Sequence, residues 1–510
     1  MNNLWNAFIA TVERWPDKVA FYHDLGCTSY GDFYDRVLDF RAEFFRRAVA
    51  RGDRVLLLVD NEVDVAAAVA ACWGQASIPV FISGNAKEAQ VDHAIDLVSP
   101  ALVIAGSRSE LKNKLAVSCL KAADVSRGRA QSEMPGANTL SGEPASIVFT
   151  SGSTGLPRGV VQSHYNLYQG CQTVASYLGL TPADVLLCPV PWSFDYGYGQ
   201  LLSTLIAGVG QVIPTLNNPT GICEAIEAFK PTVLAGTPSL FAFLVGGMSP
   251  LGQTETGSLR LLMNTGGVLP VAAQTELVDA FHRSNLILNY GLTETYRSCY
   301  VPPNLRERYA NAIGIAIPGV SVDVFLEDGR LAAPGEYGEL VHRGNFVCMG
   351  YWNDTRATQS CIRPDPLAPT GVPLPARAMY TGDIGYRDEE GVLYYVGRKD
   401  RLIKTMGIRV SPHEVELVLL ASRMVEQVVV LGVHHDVMGH AIHAVIVSRN
   451  VSEFDLRELK KYARNNLPQH LLPRHYEVVN ELPLTANGKP DLVLLERRIL
   501  ENGTAAVADW

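Results

Sequence analysis

The sequence lacks the cysteine pattern of a disulfide-stabilised or zinc-binding protein. Nine cysteines are spread singly along 510 residues, and no two of them form a CxxC pair. An odd number of isolated thiols argues against a disulfide framework and against a zinc knuckle. The cysteine usage therefore predicts a reducing, cytoplasmic environment.

Basic clusters and unbroken apolar runs are also missing. The formal net charge is -9 with Lys and Arg scattered, so we expect neither nucleic acid nor an anionic membrane surface as a partner. The N-terminal stretch MNNLWNAFIATVERW has no basic start and no apolar run of the signal-peptide kind. The most apolar stretch, VLLLVDNEVDVAAAVAACW, would bury Asp60, Glu62 and Asp64 in a bilayer. We expect no membrane span, and a small molecule or another protein as the partner.

The chain is long enough for more than one domain, and its apolar pattern divides it. Short apolar runs alternate with helical patterns, as in DRVLLLV followed by DVAAAVAACWGQ, which predicts parallel α/β layers. From about Ile313 the pattern changes to short strands separated by Gly and Pro turns. We predict an N-terminal core over residues 1–399 and a compact α+β domain over residues 400–510.

The stretch FTSGSTGLPRGVV follows a predicted strand and is rich in glycine and hydroxyl side chains. Backbone N–H groups and hydroxyls in such a turn can bind phosphate, although a run of Ser, Thr and Gly taken alone is more often a flexible surface turn. Gly152 and Gly155 stand too close together for a Walker loop, and no Lys-Ser/Thr pair follows the second glycine. The candidate phosphate ligands are Thr150, Ser151, Gly152, Ser153, Thr154, Gly155 and Arg158.

Taken as a whole, this stretch resembles the phosphate loop of the AMP-forming adenylating enzymes, which include acyl-CoA synthetases, adenylation domains of peptide synthetases and luciferase-like enzymes. Four further stretches resemble motifs of that family and occur in its order: NYGLTET (Asn289–Thr295), YTGDIGY (Tyr380–Tyr386), GRKDRLIKTMGIRVSPHEVE (Gly397–Glu416) and LPLTANGKPD (Leu482–Asp491). The resemblance implies a large N-terminal domain of two α/β subdomains plus a β-barrel, and a small mobile α+β C-terminal domain. It also implies ATP and Mg²⁺ as cofactors.

The resemblance assigns roles to individual positions. Lys489, Thr293 and Glu294 would be catalytic, with Glu294 also the magnesium ligand, because Mg²⁺ needs few protein oxygens. Without the family pattern, Lys489 would be interpreted as a solvated lysine, Tyr290 as a core aromatic and Asp383 as a turn residue. The implied nucleotide-binding residues outside the phosphate loop are Gly266, Gly267, Asn289, Tyr290, Gly291, Asp383, Tyr395 and Arg398.

Three further positions bear on the reaction cycle. Arg158 departs from the family, which usually has lysine there, so that a planar guanidinium replaces a point charge. Asp400 resembles the hinge residue between the two domains. Gly407 resembles the narrow backbone position beside the thiol tunnel, where a side chain would obstruct the thiol.

The stretch PWSFDYGYGQ bears on the carboxylate substrate. Its Phe194-Asp195 pair is similar to amino-acid adenylation domains, in which the aspartate binds the substrate amino group. The alternative is that Asp195 pairs with Arg297, which would leave the pocket merely polar. The implied substrate-binding residues are Phe194, Asp195, Gly199, Asn264, Arg297 and Ser298, and they predict a small or polar acid.

We therefore predict a stand-alone enzyme that adenylates a small amino acid and transfers it to a thiol. The chain ends about 20 residues after Lys489, so we expect the thiol in trans, on a free-standing carrier protein or on CoA. The alternative is an AMP-forming acyl-CoA ligase for a small polar acid. A whole-chain resemblance to exosortase-associated AMP-forming acyl ligases keeps this alternative open.

Overall fold

The computed structural model of the protein describes residues 3–106, 117–128, 136, 138–150, 157–246, 249–405, 408–435, 438–449, 454–485 and 490–503. The α-helices in these ranges are α1 (Leu4–Arg14), α2 (Tyr30–Arg46), α3 (Val63–Gln75), α4 (Glu88–Val98), α5 (His164–Leu178), α6 (Asp195–Ala207), α7 (Pro219–Phe229), α8 (Pro238–Val245), α9 (Val271–Ala280), α10 (Thr355–Cys361), α11 (Pro412–Ala421), α12 (Leu456–Asn466) and α13 (Leu492–Gly503). The strands are β1 (Val19–His23), β2 (Gly26–Ser29), β3 (Arg54–Val59), β4 (Ile78–Ser83), β5 (Leu102–Ala105), β6 (Cys119–Lys121), β7 (Pro144–Thr150), β8 (Arg158–Ser163), β9 (Val185–Leu187), β10 (Gly210–Val212), β11 (Val233–Gly236), β12 (Leu261–Asn264), β13 (Asn285–Tyr290), β14 (Cys299–Val301), β15 (Ile315–Ala316), β16 (Val320–Phe325), β17 (Gly338–Gly344), β18 (Gly350–Tyr351), β19 (Ile362–Pro364), β20 (Arg377–Arg387), β21 (Leu393–Arg398), β22 (Ile403–Thr405), β23 (Ile408–Val410), β24 (Val425–His435), β25 (Gly439–Ser448) and β26 (His475–Val479).

Two large, mainly parallel sheets form most of the molecule. One has the strand order β18-β8-β7-β4-β3-β5-β6, and the other has the order β15-β14-β13-β12-β11-β9-β10-β1-β2. Within each sheet the central strands run parallel and the antiparallel strands lie toward the edges. Central strands such as β3 read as continuous apolar runs because both faces are covered. The predicted α/β class is confirmed.

A helical layer separates the two sheets. The largest core combines side chains of strands from both sheets, among them β3, β4 and β7 from one and β1, β11 and β12 from the other. The helices α1, α2, α3, α5 and α6 contribute many of its other side chains. Helix α3 is buried from Val65 to Gly74, which explains why its sequence is apolar on every side. The outer faces of the two sheets are covered by α4 on one side and by α7, α8 and α9 on the other.

The third sheet is small and antiparallel. Its strands have the order β16-β17-β20-β19, and β21 pairs with β20. These strands account for the change of pattern expected from about Ile313, and they correspond to the part that the resemblance assigns to a β-barrel. Strands β17 and β20 carry polar side chains toward the ends of β13 and β14.

The fourth sheet belongs to the C-terminal part of the chain. It has the strand order β23-β22-β25-β24, with β26 pairing with β25. Helices α11 and α12 cover one apolar cluster of this sheet, and α13 contributes to another. Every residue of both clusters lies after residue 400, in agreement with a boundary near Asp400, although that boundary stays a prediction.

Contacts join the C-terminal part to the remainder of the chain. The Arg449 guanidinium donates to both carboxylate oxygens of Glu276 on α9, at 2.8 and 2.9 Å. The Ser411 hydroxyl donates to the carbonyl of Val396. Across the described ranges, no helix combines the length and the apolar character needed to cross a membrane.

Candidate active site

The β7–β8 hairpin carries the predicted phosphate loop. Thr150 and Arg158 are paired across the two strands, and the Thr150 hydroxyl lies 3.5 Å from the Arg158 carbonyl. The loop positions Ser151, Gly152, Ser153, Thr154 and Gly155 lie outside the described residues, as do Gly407 and Lys489. The hairpin thus fixes both ends of the predicted loop, while the proposed roles of its central residues stay predictions.

The side chain of Arg158 points toward the segment that follows β18. Its Nε lies 3.4 Å from Asp354 Oδ2, and its guanidinium lies 5.6 Å from the ring centre of Tyr351. The side chain is 43% exposed, so the charge remains accessible to an anion arriving from solvent. The resemblance assigns the Arg158 guanidinium to phosphate binding, and in this structure the Asp354 carboxylate partly neutralises it.

Glu294 lies in the segment between β13 and β14 and is 8% exposed. The Tyr351 hydroxyl donates to Glu294 Oε1 at 2.7 Å, and the backbone N–H of Cys348 donates to the Glu294 carbonyl at 2.8 Å. Burial raises the pKa of the Glu294 carboxyl, while the Tyr351 hydrogen bond opposes that shift. The neighbouring Thr293 is held by its carbonyl, which accepts from Gln162 Nε2 at 2.8 Å.

The donor chemistry at Glu294 fits the Mg²⁺ that the resemblance implies. A buried carboxylate whose pKa is raised by desolvation gains from a cation that neutralises it. Within the ranges that the structure describes, no group of three or more His, Cys, Asp or Glu side chains is arranged to hold a metal ion. A single carboxylate suits Mg²⁺, which keeps several waters and takes its other oxygens from phosphates. When bound, the ion would neutralise phosphate charge.

Tyr290 meets Asp383 and Arg398, which are cross-strand partners on β20 and β21, although Tyr290 lies 93 residues before Asp383. The Tyr290 hydroxyl donates to Asp383 Oδ2 at 2.5 Å, and Arg398 Nη1 donates to Asp383 Oδ1 at 3.1 Å. Asp383 is 4% exposed, and burial raises the pKa of its carboxyl although Arg398 opposes this. Arg398 Nε also lies 3.4 Å from Asp400 Oδ1, and the Tyr395 ring lies 6.4 Å from that of Tyr290. The two predicted ribose contacts therefore form one ion pair.

A glycine turn after β12 lies beside the entrance to α6. Gly266 has a φ of +85°, which favours glycine, and a Cβ placed there would lie 3.8 Å from the Phe194 ring. Asn264 is 2% exposed, and its Nδ2 donates to the Gly267 carbonyl at 3.2 Å. Asn264 Oδ1 has no hydrogen-bond partner among the described residues. A buried acceptor of this kind favours a ligand that brings a donor.

Asn289 links that turn to α5. Its Oδ1 accepts from the Tyr177 hydroxyl at 2.7 Å, and its Nδ2 donates to the Asn264 carbonyl at 3.2 Å. The Tyr177 ring packs against Tyr300 with centroids 4.5 Å apart. Because both ends of the Asn289 amide are engaged, its side chain has a fixed orientation in the predicted adenine pocket.

Asp195 and Arg297 face each other in the predicted acyl pocket. Asp195 is the first residue of α6, where the helix dipole favours a negative charge. Arg297 Nη1 lies 3.9 Å from Asp195 Oδ2, which is an ion-pair distance but not a hydrogen bond. Arg297 is 4% exposed, donates to the Tyr296 carbonyl at 2.6 Å and lies 4.7 Å from the ring centre of Tyr196. In the predicted acyl pocket, Asp195 and Arg297 thus form an ion pair without a hydrogen bond between their side chains.

Two of the predicted substrate residues are committed to neighbouring protein groups. A Cβ at Gly199 would lie 3.3 Å from the Tyr296 hydroxyl, so this glycine makes room for that ring. Ser298 is fully buried, and its hydroxyl lies 2.9 Å from His342 Nδ1. Gly291 packs on the backbone of the same segment, because a Cβ there would lie 3.0 Å from the Arg297 Cα.

Sequence reasoning did not find several of the residues that support the site, namely Gln162, Tyr177, Tyr196, Tyr296, His342 and Tyr351. Tyr296 has a φ of +59°, an uncommon left-handed conformation for a bulky residue, and its ring is buried between α5 and α6. For Gln162 and His342 the sequence signal is a polar group beside apolar residues of a strand.

The layered sheets and the polar side chains gathered at the ends of β12 and β13 are typical of an α/β enzyme. A family model described as AMP-binding enzyme matches residues 8–352, and one described as AMP-binding enzyme C-terminal domain matches residues 414–489. The chain belongs to the AMP-binding enzyme family.

Individual relatives include ligases of different acids. The chain is 29% identical over 364 residues to the long-chain-fatty-acid–CoA ligase of Bacillus subtilis, covering 71% of this chain and 62% of that protein. It is 27% identical to the D-alanine–D-alanyl carrier protein ligase of Bacillus licheniformis, covering 96% of this chain and 99% of that protein. The solved o-succinylbenzoate CoA synthetase of Bacillus subtilis, in complex with an acyl-adenylate, has a TM-score of 0.85 and 23% identity. The aligned region covers 97% of this chain and 98% of that chain, and this similarity shows that the fold is shared.

Proposed function

We propose that the protein activates a small amino acid with ATP and transfers it to the phosphopantetheine thiol of a separate carrier protein. In the first step a carboxylate oxygen attacks the α-phosphorus of ATP, and the bond to the bridging oxygen of pyrophosphate breaks. In the second step the thiol sulfur attacks the acyl carbonyl, AMP leaves and the thiol proton is released. Both steps place negative charge where fixed positive groups and hydrogen-bond donors stabilise it.

One observation carries the amino-acid proposal: Asp195 lies in the predicted acyl pocket opposite a cation that does not hydrogen-bond to it. The 3.9 Å separation from Arg297 leaves the carboxylate with acceptor capacity. An ammonium group would supply charge-assisted hydrogen bonds to that carboxylate. The full-length similarity to a D-alanine–D-alanyl carrier protein ligase supports an amino acid and a separate carrier.

The same ion pair favours a second candidate, an AMP-forming acyl-CoA ligase for a small polar acid. If Arg297 neutralises Asp195, no substrate cation is required, and the remaining guanidinium donors are available for a polar acyl group. The similarity to CoA ligases is compatible with this candidate. In either case the predicted roles of Lys489, of Thr293 and of Glu294 with Mg²⁺ are the same.

A pyrophosphate-exchange panel separates the candidates at the first step. The panel should contain small amino acids, each beside the matching acid that lacks the amino group, together with fatty and aryl acids. We expect exchange with a small amino acid and at least tenfold less with its des-amino counterpart. Exchange with fatty or aryl acids alone would refute the amino-acid proposal.

The acceptor is tested separately, by mass spectrometry of the product formed with CoA or with a phosphopantetheinylated carrier protein. Loading of the carrier with the acid chosen by the panel supports the leading proposal. Formation of acyl-CoA without carrier loading supports the second candidate.

A further inference from the structure

A buried chain of hydrogen bonds connects the segment carrying Arg297 to β17. Thr295 Oγ1 lies 3.0 Å from Ser298 Oγ, and Ser298 Oγ lies 2.9 Å from His342 Nδ1. On the other side of the ring, His342 Nε2 lies 2.7 Å from the carbonyl oxygen of Asn345. Thr295, Ser298 and His342 are all fully buried.

The donor and the acceptor of each of these hydrogen bonds can be assigned by starting from the Asn345 carbonyl. The Asn345 carbonyl only accepts, so His342 Nε2 carries the proton and Nδ1 is the acceptor. The Ser298 hydroxyl therefore donates to His342 Nδ1, and the Ser298 oxygen accepts from the Thr295 hydroxyl. Burial lowers the pKa of His342 to about 4, so the imidazole stays neutral near pH 7 and the order is kept.

Further contacts restrict the segment from Thr295 to Ser298, which these hydrogen bonds hold. Tyr296 has a left-handed backbone with φ of +59°, and Arg297 Nη1 donates to its carbonyl. The backbone N–H of Ser298 donates to the Tyr290 carbonyl at 2.9 Å. Arg297 stands between these two residues, so the direction of its side chain depends on how Tyr296 and Ser298 are fixed.

We propose that His342 is a positioning residue of the acyl pocket: its Nδ1 fixes the Ser298 hydroxyl and thereby holds the Arg297 guanidinium opposite Asp195. If the side chain at position 342 served only to fill space, an apolar residue would suit it better, because burying an imidazole costs free energy unless both nitrogens are hydrogen-bonded. The proposal rests on the proposed function, because that function is the reason for interpreting the region around Asp195 and Arg297 as an acyl pocket.

Two matched substitutions test the role of Nδ1. The carboxamide oxygen of His342→Asn can occupy the place of Nδ1 and accept from Ser298. The longer side chain of His342→Gln places its amide near the position of Nε2 and leaves Ser298 without that acceptor. Loss of a hydrogen bond of this kind should change the KM by up to about tenfold.

The readout is the KM for the acid and the KM for ATP in pyrophosphate exchange, with the acid that the panel identifies. For His342→Gln we expect about a tenfold rise in the KM for the acid and less than a threefold change in the KM for ATP. For His342→Asn we expect rescue of the acid KM to within about threefold of the unsubstituted protein. Equal effects of the two variants, or a parallel rise of both KM values, would overturn the proposal.

A substrate-independent measurement separates this proposal from the proposed function. In protein labelled with ¹⁵N-histidine, the His342 resonances should show the Nε2–H tautomer, and Ser298→Ala should shift the Nδ1 resonance. The spectrum of His342→Asn assigns the signal by its loss. An unchanged Nδ1 resonance in Ser298→Ala refutes the His342 contact, whereas absence of exchange with any acid refutes the proposed function instead.

Discussion

The hydroxyl of Tyr351 donates a 2.7 Å hydrogen bond to Oε1 of Glu294, joining the edge strand β18 to the segment after β13. Both residues lie beside the hairpin that carries Arg158, whose guanidinium packs over the Tyr351 ring. Tyr351 therefore contacts both the predicted metal ligand and the predicted phosphate ligand. A substitution that removes the hydroxyl and keeps the ring separates the effects of these two contacts.

Tyr351→Phe should shift the pH profile of the reaction while preserving the ring contact with Arg158. Burial raises the pKa of Glu294 and the Tyr351 hydrogen bond counteracts that rise, so its loss raises the pKa further. Since we propose that Glu294 acts as a carboxylate, activity falls as the pH drops through its pKa, and the acid limb should move to higher pH.

The measurement is the pH dependence of kcat/KM for ATP in pyrophosphate exchange at saturating Mg²⁺. Tyr337→Phe is a suitable control, because Tyr337 is 62% exposed and its substitution should leave the acid limb in place. An acid limb that does not move in Tyr351→Phe contradicts the influence of the hydroxyl on Glu294.

Asp195→Asn should weaken amino-acid substrates selectively. The substitution keeps the shape of the side chain and removes the charge that we propose binds the substrate ammonium. A hydrogen bond to a charged group contributes about 1.5 to 3 kcal/mol, so the KM for the amino acid should rise about 10- to 100-fold. The des-amino acid provides the matched comparison within the same variant, and its KM should change less than about threefold. Equal rises for both acids would indicate that Asp195 serves Arg297 alone.

The fold class was predictable because it depends on local patterns. Alternating apolar runs and helices predicted parallel α/β layers, since strands covered on both faces are continuously apolar. The division into two such sheets followed only from the family resemblance. Tyr290, Asp383 and Arg398 meet in the structure, and only the family motifs pointed to them together in the sequence. Their roles toward the nucleotide stay predictions.

The supporting residues were not predictable for a physical reason. His342 and Tyr351 reach the site from strands about 40 to 60 residues away, at separations of 44 and 57 from their partners. Only the folded sheet determines which side chain lies opposite Ser298 or Glu294. In the stretch GELVHRG, His342 is a polar residue fully buried near Leu340, and that exception to an apolar pattern was its only signal.

His164→Asn should reduce the acid sensitivity of the fold. The backbone N–H of Leu4 donates to His164 Nδ1 at 3.3 Å, and burial lowers the pKa of His164 to about 4. A histidine with a depressed folded-state pKa stabilises the fold fully above its unfolded pKa of 6.5, and that contribution is lost as the pH falls toward 4. The loss is on the order of 3 kcal/mol in the unfolding free energy.

Urea unfolding between pH 8 and pH 4 checks this prediction. The Asn oxygen can accept from the Leu4 N–H but does not titrate, so His164→Asn should show a flatter decline in the unfolding midpoint. His282→Asn, which removes an exposed histidine, should retain the slope of the unsubstituted protein. Parallel slopes for all three proteins would show that His164 does not set the acid sensitivity.

Asp354→Asn should strengthen the interaction of Arg158 with pyrophosphate. Asp354 lies 3.4 Å from Arg158 Nε and also caps α10, accepting from the Ala357 N–H at 2.9 Å. Asparagine is an equally good helix cap, so the substitution removes the charge and keeps the helix. A half-exposed ion pair contributes roughly 0.5 to 1 kcal/mol, so the KM for pyrophosphate in exchange should fall about two- to fivefold.

The melting temperature separates this electrostatic effect from loss of the cap. Asp354→Asn should melt within about a degree of the unsubstituted protein, whereas Asp354→Ala loses the cap as well and should be about 1 kcal/mol less stable. Both variants release Arg158 and should lower the KM for pyrophosphate alike. A KM that is unchanged in both would mean that Asp354 does not compete with phosphate for the guanidinium, and that Arg158 binds its anion from another direction.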